Sequence, residues 1–140
     1  MSPVSELLGH TRSLSCSFFS PISGNQVVTM CTDDKIRLFN TSDIKATLTP
    51  QCQIRHNNNT GRWLTPFRAA WHPSLDGMLV TGSMERPRQI EVWQTKTGSL
   101  ENVKKLMGDD LGSVCSLVGI HPSNEVIAGA NSSGRVHVFM

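Results

Sequence analysis

Hydrophobic and polar positions alternate in short runs along the whole chain. In the middle of it, Phe67, Ala69 and Trp71 recur at every second position. A second run, 78–83, follows an Asp-Gly pair, and a third run, 90–93, ends in a tryptophan. Alternating runs of roughly four to eight residues bounded by Gly, Pro and Asp are typical of strands in hairpins. This stretch therefore predicts three short strands.

Comparable runs lie on either side of the middle stretch. Besides a short strand at 4–8, the pattern predicts strands in both flanking thirds of the chain, at 14–19, 26–31, 35–40, 113–120, 125–130 and 135–139. Each group of three is punctuated alike: a proline ends the first strand, and an aromatic residue lies near the end of the third. These residues are Pro21, Pro73 and Pro122, and Phe39, Trp93 and Phe139. The chain therefore contains three copies of one unit.

The unit repeats at intervals of about 50 residues, and periods of this size with several strands per unit are typical of β-propeller blades. The predicted fold class is all-β, with about three blades of an incomplete ring, at about 4–40, 45–94 and 98–140. Known rings close with roughly four to eight blades. We therefore expect the ring, of about seven blades, to be completed by blades that this chain lacks.

The net charge of +2 hides an uneven distribution. Residues 55–88 carry five arginines and no lysine, against two acidic residues. Such a cluster suits contact with phosphate, but it also suits a solvated loop surface. The charge pattern alone leaves both interpretations open.

Cysteine usage and motif content point away from several other classes of protein. No Cys-x-x-Cys pair and no secretory leader occur, so the four cysteines are expected to be free thiols in an intracellular protein, with Cys16, Cys31 and Cys115 in the core. No apolar run is long enough to span a membrane. No phosphate-binding loop, dinucleotide fingerprint, nucleophile elbow or zinc-ligand spacing occurs, so we expect neither an enzyme nor a cofactor or metal.

Arg62 and Trp63 form the most suggestive surface feature. They follow a polar run, 57–61, which is typical of an exposed loop, and they precede a predicted strand. Arginine presents a planar fork to phosphate or guanine, and tryptophan presents a ring on which a base can stack. The alternative is that Trp63 packs onto the neighbouring blade. The predicted DNA-binding set is Arg55, His56, Arg62, Trp63, Arg68, Arg86 and Arg88.

The first unit resembles a WD repeat. It contains Gly9-His10, then Phe19-Ser20-Pro21, and then the run 32–40, which ends in Phe-Asn where the family has Trp-Asp. In that family a histidine, a hydroxyl residue, an aspartate and the tryptophan form a buried hydrogen-bonded tetrad. The resemblance implies that His10, Thr29 and Asp33 are its first three members, whereas Phe39 has no indole N–H to donate. The second and third units match the repeat less closely.

The run 64–73 resembles the WD-repeat family that includes the small subunit of the UV-damage DNA-binding complex. That relative inserts a hairpin at the lesion, and Gly61, Arg62 and Trp63 occupy the corresponding positions here. Because the residue types differ, lesion insertion does not carry over, but DNA contact does. The resemblance implies a nuclear protein that recognises damaged or modified DNA in the damage response.

The same resemblance implies protein partners. These are the adaptor of the cullin-4 ubiquitin ligase and chromatin proteins, and the alternative function is a protein-interaction scaffold or substrate receptor of that ligase. The adaptor-binding motif of such relatives is Trp-Asp-x-Arg, and neither 39–42 nor 93–96 supplies its arginine. Adaptor binding is therefore expected from blades outside this chain.

Overall fold

A computed structural model describes all residues from Met1 to Met140, and its regular structure consists of thirteen β-strands without a helix. The strands are β1 Glu6–Leu7, β2 Leu14–Phe19, β3 Gln26–Cys31, β4 Lys35–Asn40, β5 Thr47–Leu48, β6 Cys52–Arg55, β7 Ala70–Trp71, β8 Met78–Gly82, β9 Ile90–Lys96, β10 Ser99–Leu106, β11 Cys115–Ile120, β12 Ile127–Asn131 and β13 Val136–Phe139. The all-β fold class predicted from the alternating pattern is confirmed.

Three antiparallel sheets contain most of these strands. The first sheet has the order β2-β3-β4-β6, the second β7-β8-β9-β10, and the third β11-β12-β13. The remaining strands, β1 and β5, form a separate parallel pair beside the first sheet. The second and third sheets are built from consecutive strands, and the first skips only β5, so each sheet follows the chain in order as propeller blades do.

Two apolar clusters join neighbouring sheets. The larger one packs Met30, Ile36 and Leu38 of the first sheet against Leu79 and Trp93 of the second. The smaller cluster connects the second and third sheets. Apolar side chains that are buried between neighbouring sheets therefore hold the three units together.

Gly82 lies at a close approach between the second and third sheets. A Cβ atom at this position would overlap the Cys115 carbonyl oxygen and the Phe67 ring. Only a residue without a side chain allows the two backbones to approach so closely.

The fourth strands of the first two sheets, Cys52–Arg55 and Ser99–Leu106, were not among the predicted strands. The first lies beyond the predicted range 4–40, and the second falls inside the predicted range 98–140 although it pairs with β9. A tight reversal between β9 and β10 folds the chain back onto the same sheet. The boundaries between the sheets therefore lie further along the sequence than the spacing of the aromatic residues suggested.

The connections in which the predicted site lies are all at the same end of the strands, and together they form one surface of the molecule. We call it the upper face; its connections are 8–13, 32–34, 56–69, 83–89, 107–114 and 132–135. Antiparallel hairpins alternate their turns between two ends, so connections distant in sequence meet there. The structure contains no helix that is long and apolar enough to cross a membrane.

Candidate nucleic-acid interface

Trp63 protrudes from the upper face, in the long connection between β6 and β7. It is 84% exposed, so it does not pack onto a neighbouring sheet as the alternative interpretation required. The guanidinium carbon of Arg62 lies 5.2 Å from the centre of the indole ring. At this separation the cation is attracted to the ring face. One face of the indole is thus covered by a charged group that is itself exposed.

Two further predicted arginines are exposed on the same face. Arg55 ends β6, and Arg86 lies in the connection between β8 and β9. Arg55 and the start of that connection, Met84 and Glu85, line one shared cavity of about 400 Å³. Arg55 therefore lies beside the segment that carries Arg86.

Arg88 and Arg68 are placed differently from these arginines. Arg88 is half-buried, and its Nη1–H donates a hydrogen bond of 2.7 Å to the Met84 carbonyl oxygen. It therefore closes the turn between β8 and β9. Arg68 is exposed but lines a separate, largely apolar cavity of about 510 Å³ along β2, β7 and β11. The side chain of Arg88 is therefore bonded within the turn, and Arg68 faces a different cavity from the one beside Arg55.

His56 is buried, which corrects its predicted role as a DNA contact. The residue is 7% exposed. Its ring packs edge-on against the rings of Phe67 and Trp93, at centroid distances of 5.7 and 6.1 Å. Its Nδ1 lies 2.6 Å from the side-chain oxygen of Asn58. The polar composition of 57–61 suggested an exposed segment, but His56 turns inward where the two sheets meet.

Glu91, which the sequence analysis did not single out, lies next to His56. One of its carboxylate oxygens, Oε1, accepts hydrogen bonds from the Ser83 hydroxyl at 3.0 Å and the Gln89 amide at 2.7 Å. The other, Oε2, lies 3.4 Å from Nε2 of His56. Burial raises the pKa of Glu91, but the neighbouring His56, Gln89 and Ser83 together lower it further, so the pKa lies below its usual range. Glu91 is therefore ionised at neutral pH.

The first sheet contains a related buried cluster. Nε2 of His10 lies 2.9 Å from the Thr29 hydroxyl, and the His10 ring is 5.5 Å from that of Phe39. Burial and the nearby Arg37 lower the pKa of His10. His10 and Thr29, two predicted members of the tetrad, are therefore in contact.

Asp33, the third predicted member of the tetrad, is held by Arg37 instead of His10. Its two oxygens accept hydrogen bonds of 3.0 and 2.6 Å from the Arg37 guanidinium, and one of them also accepts from the Thr11 hydroxyl. The guanidinium, whose side chain is 1% exposed, keeps the pKa of Asp33 far below its usual range. An arginine thus links this aspartate to the third strand of the sheet.

A polar cleft of about 670 Å³ opens on the upper face between the first two sheets. Arg12 and Gly61 both line it, so Arg12 lies near the loop that carries Arg62. Sequence reasoning missed Arg12, because about 50 residues separate it from that loop and only the stacking of sheets brings them together.

No three His, Cys, Asp or Glu side chains are arranged to hold a metal ion, and all four cysteines are free thiols.

Comparison with solved structures identifies the fold. Over 94% of its length the chain resembles 38% of a chain in the crystal structure of the mitotic checkpoint complex, with a TM-score of 0.67 at 11% identity. No family model matches the sequence. The chain is 47% identical over 137 residues to WD repeat-containing protein 76 of Xenopus laevis. This chain is part of a WD-repeat β-propeller.

The WD-repeat chain corresponds to a small part of its relatives. The match with the Xenopus protein covers 98% of this chain but only 23% of that protein. The DNA damage-binding protein CMR1 of Chaetomium globosum is 34% identical over 148 residues, which cover 96% of this chain and 27% of that protein. The chain therefore spans about a quarter of the curated relatives it matches.

Strand register relates the clusters in the first two WD-repeat sheets. Thr29 pairs with Arg37 across β3 and β4, and Thr81 pairs with Glu91 across β8 and β9. His56 contacts Glu91 of the second pair and packs against Trp93, whereas His10 contacts Thr29 of the first pair and packs against Phe39. The two histidines therefore occupy similar places, although no glycine precedes His56. The missing Gly-His dipeptide hid this equivalence in the sequence.

Proposed function

We propose that this chain binds DNA through its upper face, as part of a nuclear protein that recognises damaged or modified DNA. Relatives named DNA damage-binding proteins match most of its length, which supports a role in the same response. The proposed activity is binding rather than catalysis.

The observation that carries the proposal is the exposed pair of Arg62 and Trp63. A tryptophan is among the side chains that gain most from burial, yet Trp63 is 84% exposed. With Arg62 against one face of the ring, the opposite face is open to a nucleobase. Base stacking on an aromatic side chain contributes about 1–3 kcal/mol per base.

Exposed arginines provide the second element of the proposed interface. Arg55 and Arg86 would contact phosphates and so position the DNA, while Arg62 and Trp63 would reach the bases. Arg12 would extend the positive surface towards the first sheet. His56 is not part of the proposed interface because it is buried, and Arg68 is not because it lines another cavity. Arg88 is not included because its side chain is bonded within the turn.

The double substitution Arg62→Ala with Trp63→Ala tests this proposal. DNA affinity, measured by mobility shift at fixed salt, should fall markedly. The matched control is Lys45→Ala, because Lys45 is a 72% exposed cation on the opposite face and its removal should leave affinity unchanged. Equal affinity of the double variant and the unaltered protein would show that the loop is not the interface.

Two further comparisons sharpen the same experiment. Damaged, modified and plain duplexes identify the preferred DNA form. The logarithm of affinity should decrease linearly with the logarithm of salt concentration, by about 0.9 per neutralised phosphate. Salt-resistant binding to a protein partner, with no shift of DNA, would instead favour a scaffold or a substrate receptor of a cullin-4 ubiquitin ligase.

A further inference from the structure

One buried side chain attaches the loop of Arg62 and Trp63 to the first sheet. Asn58 lies shortly before these residues in the connection between β6 and β7, and it is 5% exposed. Its amide nitrogen donates hydrogen bonds to the carbonyl oxygens of Cys31 and Lys35, at 2.8 and 3.2 Å. Cys31 ends β3 and Lys35 begins β4, so Asn58 joins the long connection to the turn between those two strands.

The remaining polar groups of Asn58 are also hydrogen-bonded. Because the amide nitrogen faces the two carbonyls, the side-chain oxygen accepts the proton on Nδ1 of His56, 2.6 Å away. The backbone N–H donates to Oδ1 of Asp34 at 2.9 Å, and the backbone carbonyl accepts from the N–H of Thr60 at 3.0 Å. The carbonyl of Asp34 in turn accepts from the N–H of His56 at 3.0 Å. This end of the loop is therefore held by a closed set of hydrogen bonds.

The other end of the loop is held at Phe67. Its side chain is 1% exposed, and its carbonyl oxygen accepts a hydrogen bond of 2.6 Å from the Ser15 hydroxyl. Between the two attachments, residues 61–66 are exposed except for the half-buried Leu64. We call this segment the tip. A segment with few buried contacts opens locally at little cost in free energy, so the tip owes its arrangement to its two ends.

We propose that Asn58 and Asp34 are positioning residues for the tip, an inference that rests on the proposed binding of DNA. An attached tip presents the Arg62 guanidinium and the Trp63 indole in one arrangement before DNA arrives. A released tip has to be ordered during binding, and the conformational freedom lost at that step weakens the affinity. Neither positioning residue contacts DNA itself.

Asn58→Ala in the whole chain tests the role of the buried side chain. Backbone ¹⁵N order parameters of residues 61–66, measured without DNA, should fall from about 0.85 to below about 0.6. Affinity for a short fluorescent duplex at fixed salt should fall about tenfold, which corresponds to an added ordering cost of about 1.4 kcal/mol. Asn131→Ala is the matched control, because Asn131 accepts from the N–H groups of Ser133 and Arg135 in another connection of the upper face. It should change neither quantity.

Asp34 provides a second test at a residue that is only half-buried. Its φ is 61°, which glycine and asparagine both tolerate, so Asp34→Gly and Asp34→Asn keep the turn. Both variants lose the same negative charge, which by itself favours attraction to DNA. Only Asp34→Asn keeps a side-chain oxygen for the N–H of Asn58. Asp34→Gly should therefore bind the duplex at least about threefold more weakly than Asp34→Asn, with lower order parameters in the tip.

Two results would overturn the positioning proposal. Order parameters of the tip that stay at the control level in Asn58→Ala and Asp34→Gly would show that neither residue holds the tip. Lower order parameters without any loss of affinity would show that binding does not depend on the arrangement of the tip. If Asn58→Ala does not fold, the pair of Asp34 variants decides. Failure of the DNA proposal is a separate result, because it appears as an unchanged affinity of the double variant Arg62→Ala with Trp63→Ala.

Discussion

The indole N–H of Trp93 donates a hydrogen bond of 2.9 Å to the hydroxyl of Thr81 on the neighbouring strand. Thr81 is fully buried. Replacing it with valine keeps its shape but leaves the indole N–H without an acceptor, so we expect Thr81→Val to lower the free energy of unfolding by about 1–3 kcal/mol. Urea denaturation measures this change. Thr65→Val, at an exposed loop threonine, should change the free energy by less than about 0.5 kcal/mol.

The ion pair between Asp33 and Arg37 should make stability depend on acid pH. The Arg37 guanidinium depresses the pKa of Asp33 in the folded chain, whereas an unfolded aspartate titrates near about 3.9. The ion pair therefore contributes its full stabilisation above about pH 5. As the pH falls below that value, Asp33 binds a proton in the unfolded chain before it does so in the folded chain, so the free energy of unfolding decreases. Urea denaturation at a series of pH values measures this slope.

Asp33→Asn should remove this part of the acid slope. At neutral pH it should also lower the free energy of unfolding by about 3 kcal/mol, because Arg37 remains as a buried charge without a counterion. Asp43→Asn provides the comparison, since that carboxylate is 81% exposed. Similar pH profiles for the two variants would contradict the assignment of the slope to Asp33.

Gly82→Ala should be strongly destabilising, because the added methyl group would overlap the Cys115 carbonyl oxygen and the Phe67 ring. Overpacking of this kind costs about 1–3 kcal/mol or more. Gly119→Ala is the matched control, since this strand glycine has open space where a Cβ would lie. Thermal denaturation of both variants checks the prediction. Equal melting temperatures would mean that the second and third sheets do not approach each other at Gly82.

Trp63→Ala should separate binding from stability. Because Trp63 is 84% exposed, its removal should change the free energy of unfolding by less than about 0.5 kcal/mol. DNA affinity should fall by at least about fivefold, which corresponds to the loss of one stacked base. Ile44→Ala, at a 53% exposed apolar side chain on the opposite face, should affect neither quantity. An affinity unchanged by Trp63→Ala would remove stacking from the proposal.

The pattern of short apolar runs bounded by turn residues predicted strands such as Leu14–Phe19 and Gln26–Cys31, although residues 27–31 are buried on both faces of their sheet. It missed Ser99–Leu106, in which Leu100 and Leu106 are buried and Val103 is exposed. A shift of register between Asn102 and Lys104 interrupts the period of two. Such an irregularity reverses the side-chain pattern along the strand, so the apolar residues no longer follow the rule that the prediction used.

Only those residues of the candidate site could be predicted whose side chains make no contact with distant segments of the chain. Arg62 and Trp63 lie in a polar loop, and local composition placed them on the surface. The burial of His56 depends on Phe67 and Trp93, which belong to later segments of the chain. Local composition contains no information about that packing, so the sequence assigned His56 to the wrong environment.

The third sheet ends at β13, where the first two sheets continue to a fourth strand. In β4 and β9 the outward amide groups are bonded to β6 and β10, respectively, but no strand of this chain pairs with the corresponding edge of β13. Hydrogen exchange with deuterated water should therefore replace these amide protons of β13 far sooner than the equivalent protons of β9. Like β11 on the other side of the third sheet, β13 is an edge strand, and its unpaired N–H and C=O groups can pair with a strand of another chain.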